Sequence, residues 1–147
     1  MRCLDNYYKS KNLNVNEKLI NTYVKYNNNA LISNGFSIVL TQKLSSDFKE
    51  NKNYKSGIIN AFEVFIDKNT TKFVKTIDYT EIKNNLDSDK CYKINSDYGI
   101  NYTQLNKIID IIGCEKINVI NVKGQNCVIE IVGKGMQVGY LLPMRIY

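Results

Sequence analysis

A periodic apolar pattern near the end of the chain constrains the fold more than any other feature. Four apolar residues recur at the i, i+3, i+4 and i+7 spacing of one helix face, namely Leu105, Ile108, Ile109 and Ile112. Asn101 can cap this helix with Gln104 in the capping-box position, and Gly113 can end it as a left-handed C-cap. An amphipathic helix of this kind must bury its apolar face against another element.

Three strands with tight connections are predicted after this helix. The apolar runs cover residues 117–122, 127–132 and 137–145. Short glycine-containing segments at 123–125 and 133–135 separate them. The expected unit is therefore a helix followed by a hairpin and a third strand.

The first half of the chain shows a similar order of elements. Asn14 can act as an N-cap with Glu17 as the capping-box acid, and apolar residues then share one helical face as far as Tyr23. This pattern predicts a helix from residue 14 to the Asn run at 27–29.

The middle of the chain is less regular. Asn34-Gly35 predicts a hairpin between strands at 30–33 and 36–41, because both central residues of such a turn must take positive φ. A polar loop is expected over residues 42–55. Further elements are predicted in the order strand 58–66, strand 71–77, short helical turn 79–86 and strand 91–94.

The two halves predict one domain over residues 1–147. The halves span about 14–77 and 91–147, and residues 1–13 are expected to form an edge strand or an arm. The repeat is one of organisation, since the sequences of the halves do not match well. The predicted fold is α+β, with two β-α-β-β-β units whose two helices pack on one face of an antiparallel sheet.

The charge of the chain bears on its partners. Its 20 basic and 14 acidic residues give a net charge of +6, which favours an anionic partner such as nucleic acid. Lysine dominates, and the arginines are Arg2 and Arg145. Lysine supplies point charge without the planar fork that reads base edges, so contact with the phosphate backbone is expected rather than sequence-specific binding.

Apolar run lengths and cysteine spacing bear on location. No stretch approaches the roughly 20 apolar residues of a membrane span, and no signal-peptide pattern follows Met1. The four cysteines are widely spaced without a CxxC pair, which favours free thiols in a reducing compartment. The expected location is the cytoplasm, with no membrane partner.

The residue types present favour binding over catalysis. The chain has no histidine, which excludes Ser-His-Asp and Cys-His catalysis and histidine metal sites. Residues 133–135 form no P-loop, and residues 87–89 lack the glycine and glutamate of a calcium loop. We expect no cofactor, no metal site, no catalytic residues and no enzymatic activity.

The last 47 residues or so carry three motifs: Ile-Asn-Tyr-Thr-Gln-Leu at 100–105, Glu-Lys-Ile-Asn-Val at 115–119, and the ending Gly-Tyr-Leu-Leu-Pro-Met-Arg-Ile at 139–146. Together they resemble the end of the third domain of the bacterial DNA sliding clamp, the β subunit of DNA polymerase III. The first resembles the strand-to-helix transition of that family, the second the strand after the helix, and the third the terminal aromatic–apolar–Met–Pro–Met–Arg–Leu run. Leu142 stands where the family has Met, and Tyr147 is an additional residue. The chain has the size of one clamp domain, whereas the clamp subunit has three.

The resemblance implies a surface for DNA. Clamp helices line the DNA channel, so the helices of this chain would present Lys18, Lys25 and Lys107 to phosphates, and binding would be salt-sensitive and blind to sequence. The competing interpretation is that these lysines form the solvated faces of amphipathic helices. Glu17 and Asp110 on the same helices would dilute a cationic surface.

The resemblance also implies a groove for partner peptides. The clamp C-terminus helps to capture apolar peptides of polymerases and repair proteins, and its counterpart here comprises Leu141, Leu142, Pro143, Met144 and Arg145. The competing interpretation is an ordinary strand that packs into its own core. Since alternate side chains of a strand face opposite sides, not all five can line a groove.

Three hypotheses follow from these patterns. The first is a clamp-like processivity or tethering factor in DNA replication or repair, from a phage or mobile element, which closes a ring by homo-oligomerisation through exposed edge strands. The second is a monomeric clamp-like module that binds or regulates a DNA polymerase or other replication protein. The third is an enzyme whose site is assembled from scattered residues.

Overall fold

A computed structural model describes residues 22–42, 44, 48–53 and 55–146. The helices in this part are α1 Lys55–Ile66, α2 Tyr79–Asn84 and α3 Tyr102–Ile112. The strands are β1 Thr22–Tyr26, β2 Asn29–Ser33, β3 Ser37–Thr41, β4 Lys49–Glu50, β5 Thr71–Ile77, β6 Cys91–Lys93, β7 Tyr98–Asn101, β8 Lys116–Val122, β9 Gln125–Val132, β10 Val138–Leu141 and β11 Met144–Arg145.

Most strands belong to one large sheet. Its order is β4-β1-β2-β3-β10-β9-β8-β5, and every neighbouring pair is antiparallel except β4 with β1. A small sheet has the order β11-β7-β6. The predicted α+β class is confirmed.

The centre of the large sheet joins two antiparallel meanders, β1-β2-β3 and β8-β9-β10. Their third strands pair with each other, with Val39 opposite Gly139 and Ile38 opposite Tyr140. The first hairpin of each meander closes with a two-residue turn, at 27–28 and at 123–124. Asn27 and Gly124 supply the positive φ that such turns require.

The large sheet buries apolar side chains on both faces. Tyr140 packs against Phe62 and Phe65 of α1, whereas a Cβ at the adjacent Gly139 would meet Ile108 of α3. Successive residues of a strand point to opposite faces, so α1 and α3 cover opposite sides of the sheet. We call these sides the α1 face and the α3 face. The α3 face is also covered by α2 and the small sheet, whose Ile82, Tyr92 and Ile100 join the same core as α3.

A row of polar residues crosses the α1 face on four adjacent strands. The Thr76 hydroxyl donates to Asn118 Oδ1 at 2.8 Å, and Asn118 Nδ2 donates to Glu130 Oε1 at 3.0 Å. The Tyr140 hydroxyl donates to Glu130 Oε2 at 3.0 Å. Burial and the nearby Glu130 carboxylate raise the pKa of Tyr140, so its hydroxyl keeps its proton and remains a donor.

Two predictions of element type are wrong. Residues 22–26 form a strand rather than the end of a helix, because Tyr23, Val24 and Tyr26 favour a pleated surface and Val24 pairs with the buried Leu31. The rest of that predicted helix lies outside the described residues. Residues 58–66, predicted as a strand, belong to α1.

The first of the two helices predicted to share one face begins at residue 14, mostly outside the described residues, so this pairing stays a prediction. The helix α1, which was not predicted, covers the face opposite α3. The C-terminal strand predicted over 137–145 is interrupted at Pro143, which has no N–H to continue the ladder. Gly113 ends α3 at φ 76° and ψ −175°. The positive φ favours glycine, as predicted, whereas the ψ value differs from that of a left-handed cap. Strand β4 was not predicted, and β7 was indicated only by the resemblance at residues 100–105.

Several predictions are confirmed. The strand at 71–77 matches β5, and the short helix at 79–86, the strand at 91–94 and the strands of the hairpin at 117–132 all form. Asn101 caps α3 as expected, since its Oδ1 accepts the Gln104 backbone N–H at 3.0 Å.

We expect Gly139→Ala to destabilise the protein by about 1–2 kcal/mol, because an added Cβ would lie 2.6 Å from Ile108 Cγ2 where α3 meets the sheet. This cost exceeds the gain of a few tenths of a kcal/mol to about 1 kcal/mol that replacing glycine gives in the unfolded chain. Urea denaturation measures the change. In Ile108→Ala the methyl group is absent, so the double variant should lose less stability than the sum of the single variants. Strictly additive changes in the free energy of unfolding would contradict the close packing of Gly139 against Ile108.

Candidate functional site

A pocket of about 410 Å³ lies where the chain leaves the large sheet near its C-terminus. Three segments distant in sequence line it. They are the β2–β3 turn with Phe36, the start of α3 with Asn101 and Gln104, and the chain end with Leu141, Leu142, Pro143 and Met144. The lining is mostly apolar with a few polar groups, the usual composition of a ligand site.

The β2–β3 turn is built to display Phe36. Gly35 and Phe36 are its central residues, and Gly35 has φ 86°, as the first central position of a type II′ turn requires. Asn34 Oδ1 accepts the backbone N–H groups of Phe36 and Ser37, each at 3.0 Å. The predicted hairpin therefore forms, with its turn one residue later than expected. The Phe36 side chain is 52% exposed at the tip.

The start of α3 is tied to the same turn. Asn34 Nδ2 donates to Gln104 Oε1 at 3.1 Å, which joins the turn to the first turn of the helix. The Asn101 side chain is occupied by capping the helix. These bonds hold two walls of the pocket in a fixed relation.

The chain end forms the third wall. The backbone N–H of Leu142 donates to the Phe36 carbonyl at 2.9 Å. Pro143 then turns the chain away, and Met144 and Arg145 pair with Gly99 and Tyr98 of the small sheet. The pocket thus lies at the junction between the two sheets.

The five residues predicted for a peptide groove have different environments. Leu142, Pro143 and Met144 are partly or well exposed and line the pocket. Leu141 also lines it, but its side chain is 1% exposed and belongs to the core. Arg145 lies in β11 and is not among the lining residues. The structure brings four of the five together, and their role in binding stays a prediction.

The three lysines predicted to face DNA do not form one helical surface in the described part of the chain. Lys18 lies outside the described residues. Lys25 lies on β1 rather than on a helix, and its Nζ is 3.6 Å from the Glu50 carboxylate. Lys107 is exposed on α3, as predicted. Since β2 separates β1 from the strands that α3 contacts, Lys25 and Lys107 occupy different regions.

A second cavity of about 320 Å³ lies beside Lys25, bounded mainly by the β1–β2 turn and the end of β3. Its lining includes the amide-bearing residues Asn27, Asn28 and Gln42. The sequence prediction of a helix through this region gave no indication of it.

A hydrogen-bonded tyrosine pair links α2 to α3. The Tyr79 and Tyr102 hydroxyls are 2.9 Å apart, and the Tyr79 hydroxyl donates to Asn106 Oδ1 at 2.7 Å. The hydrogen bond with Tyr102, and then burial, raise the pKa of Tyr79 to about 12. The rings stack with centroids 6.0 Å apart. A hydroxyl held in its protonated form within such a network joins helices rather than acting as a base at neutral pH.

The described cysteines are not activated nucleophiles. Burial raises the pKa of the thiols of Cys91, Cys114 and Cys127, which disfavours the reactive thiolate. All three are free thiols, as predicted. Across residues 22–42, 44, 48–53 and 55–146, no group of three His, Cys, Asp or Glu side chains is placed to hold a metal ion.

No family model, no curated protein and no solved structure matches the chain. In the part of the chain that the structure describes, no helix has the length and apolar character needed to cross a bilayer.

We expect Cys127 to react slowly with iodoacetamide at pH 8, because its pKa is raised to about 11 and about one thiol in a thousand would be ionised. Its rate should rise about tenfold per pH unit between pH 8 and 10. Mass spectrometry of the peptide that contains Cys127 measures the rate. The half-buried Cys114 provides an internal comparison and should react faster. Equal rates at pH 8 would contradict the burial of Cys127.

Proposed function

We propose that this protein is a non-catalytic binding module that takes a short apolar segment of another protein in its C-terminal pocket. The observation that carries the proposal is the pocket of about 410 Å³ formed by Phe36, the start of α3 and the chain end. Four of its lining residues belong to the stretch that resembles the peptide-binding end of sliding clamps.

The composition of the pocket suits an apolar peptide. Phe36 and Met144 are 52% and 37% exposed and so offer apolar surface to a partner. Methionine adapts to side chains of different shape, and the aromatic ring gives a large contact area. Gln104 supplies a polar group at one side, where the backbone of a bound segment needs hydrogen bonds.

The partner that the resemblance suggests is a DNA polymerase or another replication protein. The two meanders joined through β3 and β10 support the resemblance, because a clamp-like domain would consist of two similar units. In this proposal the protein binds or regulates its partner as a monomer, and no ring is required.

Met144→Glu should weaken binding of a peptide with leucine and phenylalanine anchors by about tenfold or more, because it places a charge in the apolar wall of the pocket. Fluorescence anisotropy with the dye-labelled peptide measures the change.

Met136→Glu is the matched control, since Met136 is 79% exposed and lies outside the pocket lining. It should bind the peptide as the parent protein does. Thermal unfolding of both variants separates loss of binding from loss of folding. If both variants bind alike, or if the parent protein binds none of a panel of such peptides, the pocket is not a peptide site.

A clamp-like tether on DNA, built as a homo-oligomeric ring, is the second candidate. The net charge of +6 favours it, as does the β5 edge, which has no neighbouring strand in the described part of the chain. DNA contact would be with phosphates, through lysines such as Lys18, Lys25 and Lys107.

A ring predicts a closed oligomer by light scattering and retention on closed circular DNA that is lost after linearisation. Charge reversal of Lys18, Lys25 and Lys107 to Glu should weaken that retention, because each reversal removes a contact to phosphate. A protein that stays monomeric at high concentration would exclude the ring and leave the monomeric module as the remaining candidate.

A further inference from the structure

The β5 strand presents a long open edge at one end of the large sheet. Six of its seven residues pair with β8 on one side, and no described strand lies on the other. Phe73 is 61% exposed and Val74 is 46% exposed, although both are large apolar residues. Ile66, at the end of α1, is 41% exposed. An open backbone edge beside exposed apolar side chains is suited to the addition of another strand.

The charged side chains within β5 are positive. The strand Thr71–Ile77 contains Lys72 and Lys75 and no acidic residue. Lys68 and Lys123 lie at the same end as the start of β5, since the Lys123 backbone N–H donates to the Thr70 carbonyl at 2.8 Å. The acids nearest in sequence, Asp67 and Asp78, lie outside the strand.

The two kinds of side chain face different sides of the sheet. Lys72 pairs with Asn121 and Lys75 with Val119, so both point to the α3 face. Phe73 pairs with Ile120 and points to the α1 face. Val74 is the extra residue of a bulge between them. A strand added here would meet positive charge on one face and an aromatic ring on the other.

A second copy of the chain is a poor occupant of this edge. If two β5 strands paired antiparallel around residues 73 and 74, Lys72 of each copy would lie opposite Lys75 of the other. Like charges in directly opposed positions destabilise a sheet, and the bulge disturbs a regular ladder.

We propose that the β5 edge binds an extended segment of a partner protein in which acidic and apolar residues alternate. The partner backbone would continue the ladder of the large sheet. Its carboxylates would lie beside Lys72 and Lys75 on the α3 face, and its apolar side chains beside Phe73 on the α1 face. This surface is separate from the C-terminal pocket, since β8 and β9 lie between β5 and β10.

The test uses the full chain and two synthetic peptides, one of alternating Glu and Val and one of alternating Lys and Val. The Glu-Val peptide should bind saturably and slow hydrogen exchange at β5 amides in NMR spectra. The double variant Lys72→Glu/Lys75→Glu should bind it at least about fivefold more weakly and should prefer the Lys-Val peptide.

The control variant Lys90→Glu/Lys134→Glu has the same change in charge at exposed lysines outside β5 and β8 and should bind the Glu-Val peptide nearly as the parent protein does. Equal weakening in both double variants would overturn the proposal, because net charge alone would then explain binding.

Binding of the Glu-Val peptide without slower hydrogen exchange at β5 amides would also overturn the proposal. Slower exchange at β5 amides that appears without peptide and increases with protein concentration would overturn it as well, since a second copy would then occupy the edge. Tighter binding of a DNA oligonucleotide than of the peptide, lost in Lys72→Glu/Lys75→Glu, would assign the lysines to phosphate instead.

Discussion

The pairing of β3 with β10 is the contact on which the rest of the molecule depends. It joins two meanders into one sheet and places the C-terminal strand beside the early hairpin. Because these central strands are buried on both faces, Ile38 and Tyr140 belong to the core under α1, while Val39 and Leu141 belong to the core under α3. Without this pairing neither α1 nor α3 would have a complete apolar surface to cover.

The same pairing creates the pocket. It brings the tip of the β2–β3 turn to the point where the chain leaves β10, and the bond from Leu142 to the Phe36 carbonyl fixes that approach. Pro143 then sends the chain to the small sheet instead of extending the large one. A pocket whose walls are held by backbone bonds is largely formed before a ligand arrives, which lowers the entropic cost of binding.

The sequence predicted an element correctly where one local pattern was stronger than any competing pattern. The spacing of apolar residues and the Asn101 cap predict α3, and alternating or apolar runs with tight turns predict β5, β8 and β9. Residues 58–66 predict a strand because they form a run rich in isoleucine and phenylalanine. However, Ile58, Phe62 and Phe65 are also spaced as one helix face, and α1 uses that spacing to cover the sheet. Short apolar runs satisfy both patterns, and the tertiary setting decides between them.

Only one wall of the candidate site, the chain end, could be predicted from the sequence. A resemblance at the chain end indicates Leu141 to Arg145, but Phe36 and Gln104 join them through contacts across distant parts of the sequence. No local spacing indicates such contacts. For Lys25 the sequence pattern was misleading. A helical pattern predicted that it lies on a helix face, whereas the pairing of β1 with β2 places it on a strand beside Glu50.

The polar row from Thr76 to Tyr140 has a consequence for how the chain reaches this fold. Apolar residues line both faces of β8 and β9, so burial alone would accept a shift of two residues between these strands. Such a shift would place Val128 or Val132 opposite Asn118 and separate the Asn118 amide from the Glu130 carboxylate. Loss of a hydrogen bond between partly buried polar groups costs free energy, so misaligned sheets are disfavoured during folding. The polar row therefore favours one register of β8 and β9 among several that hydrophobic burial alone cannot distinguish.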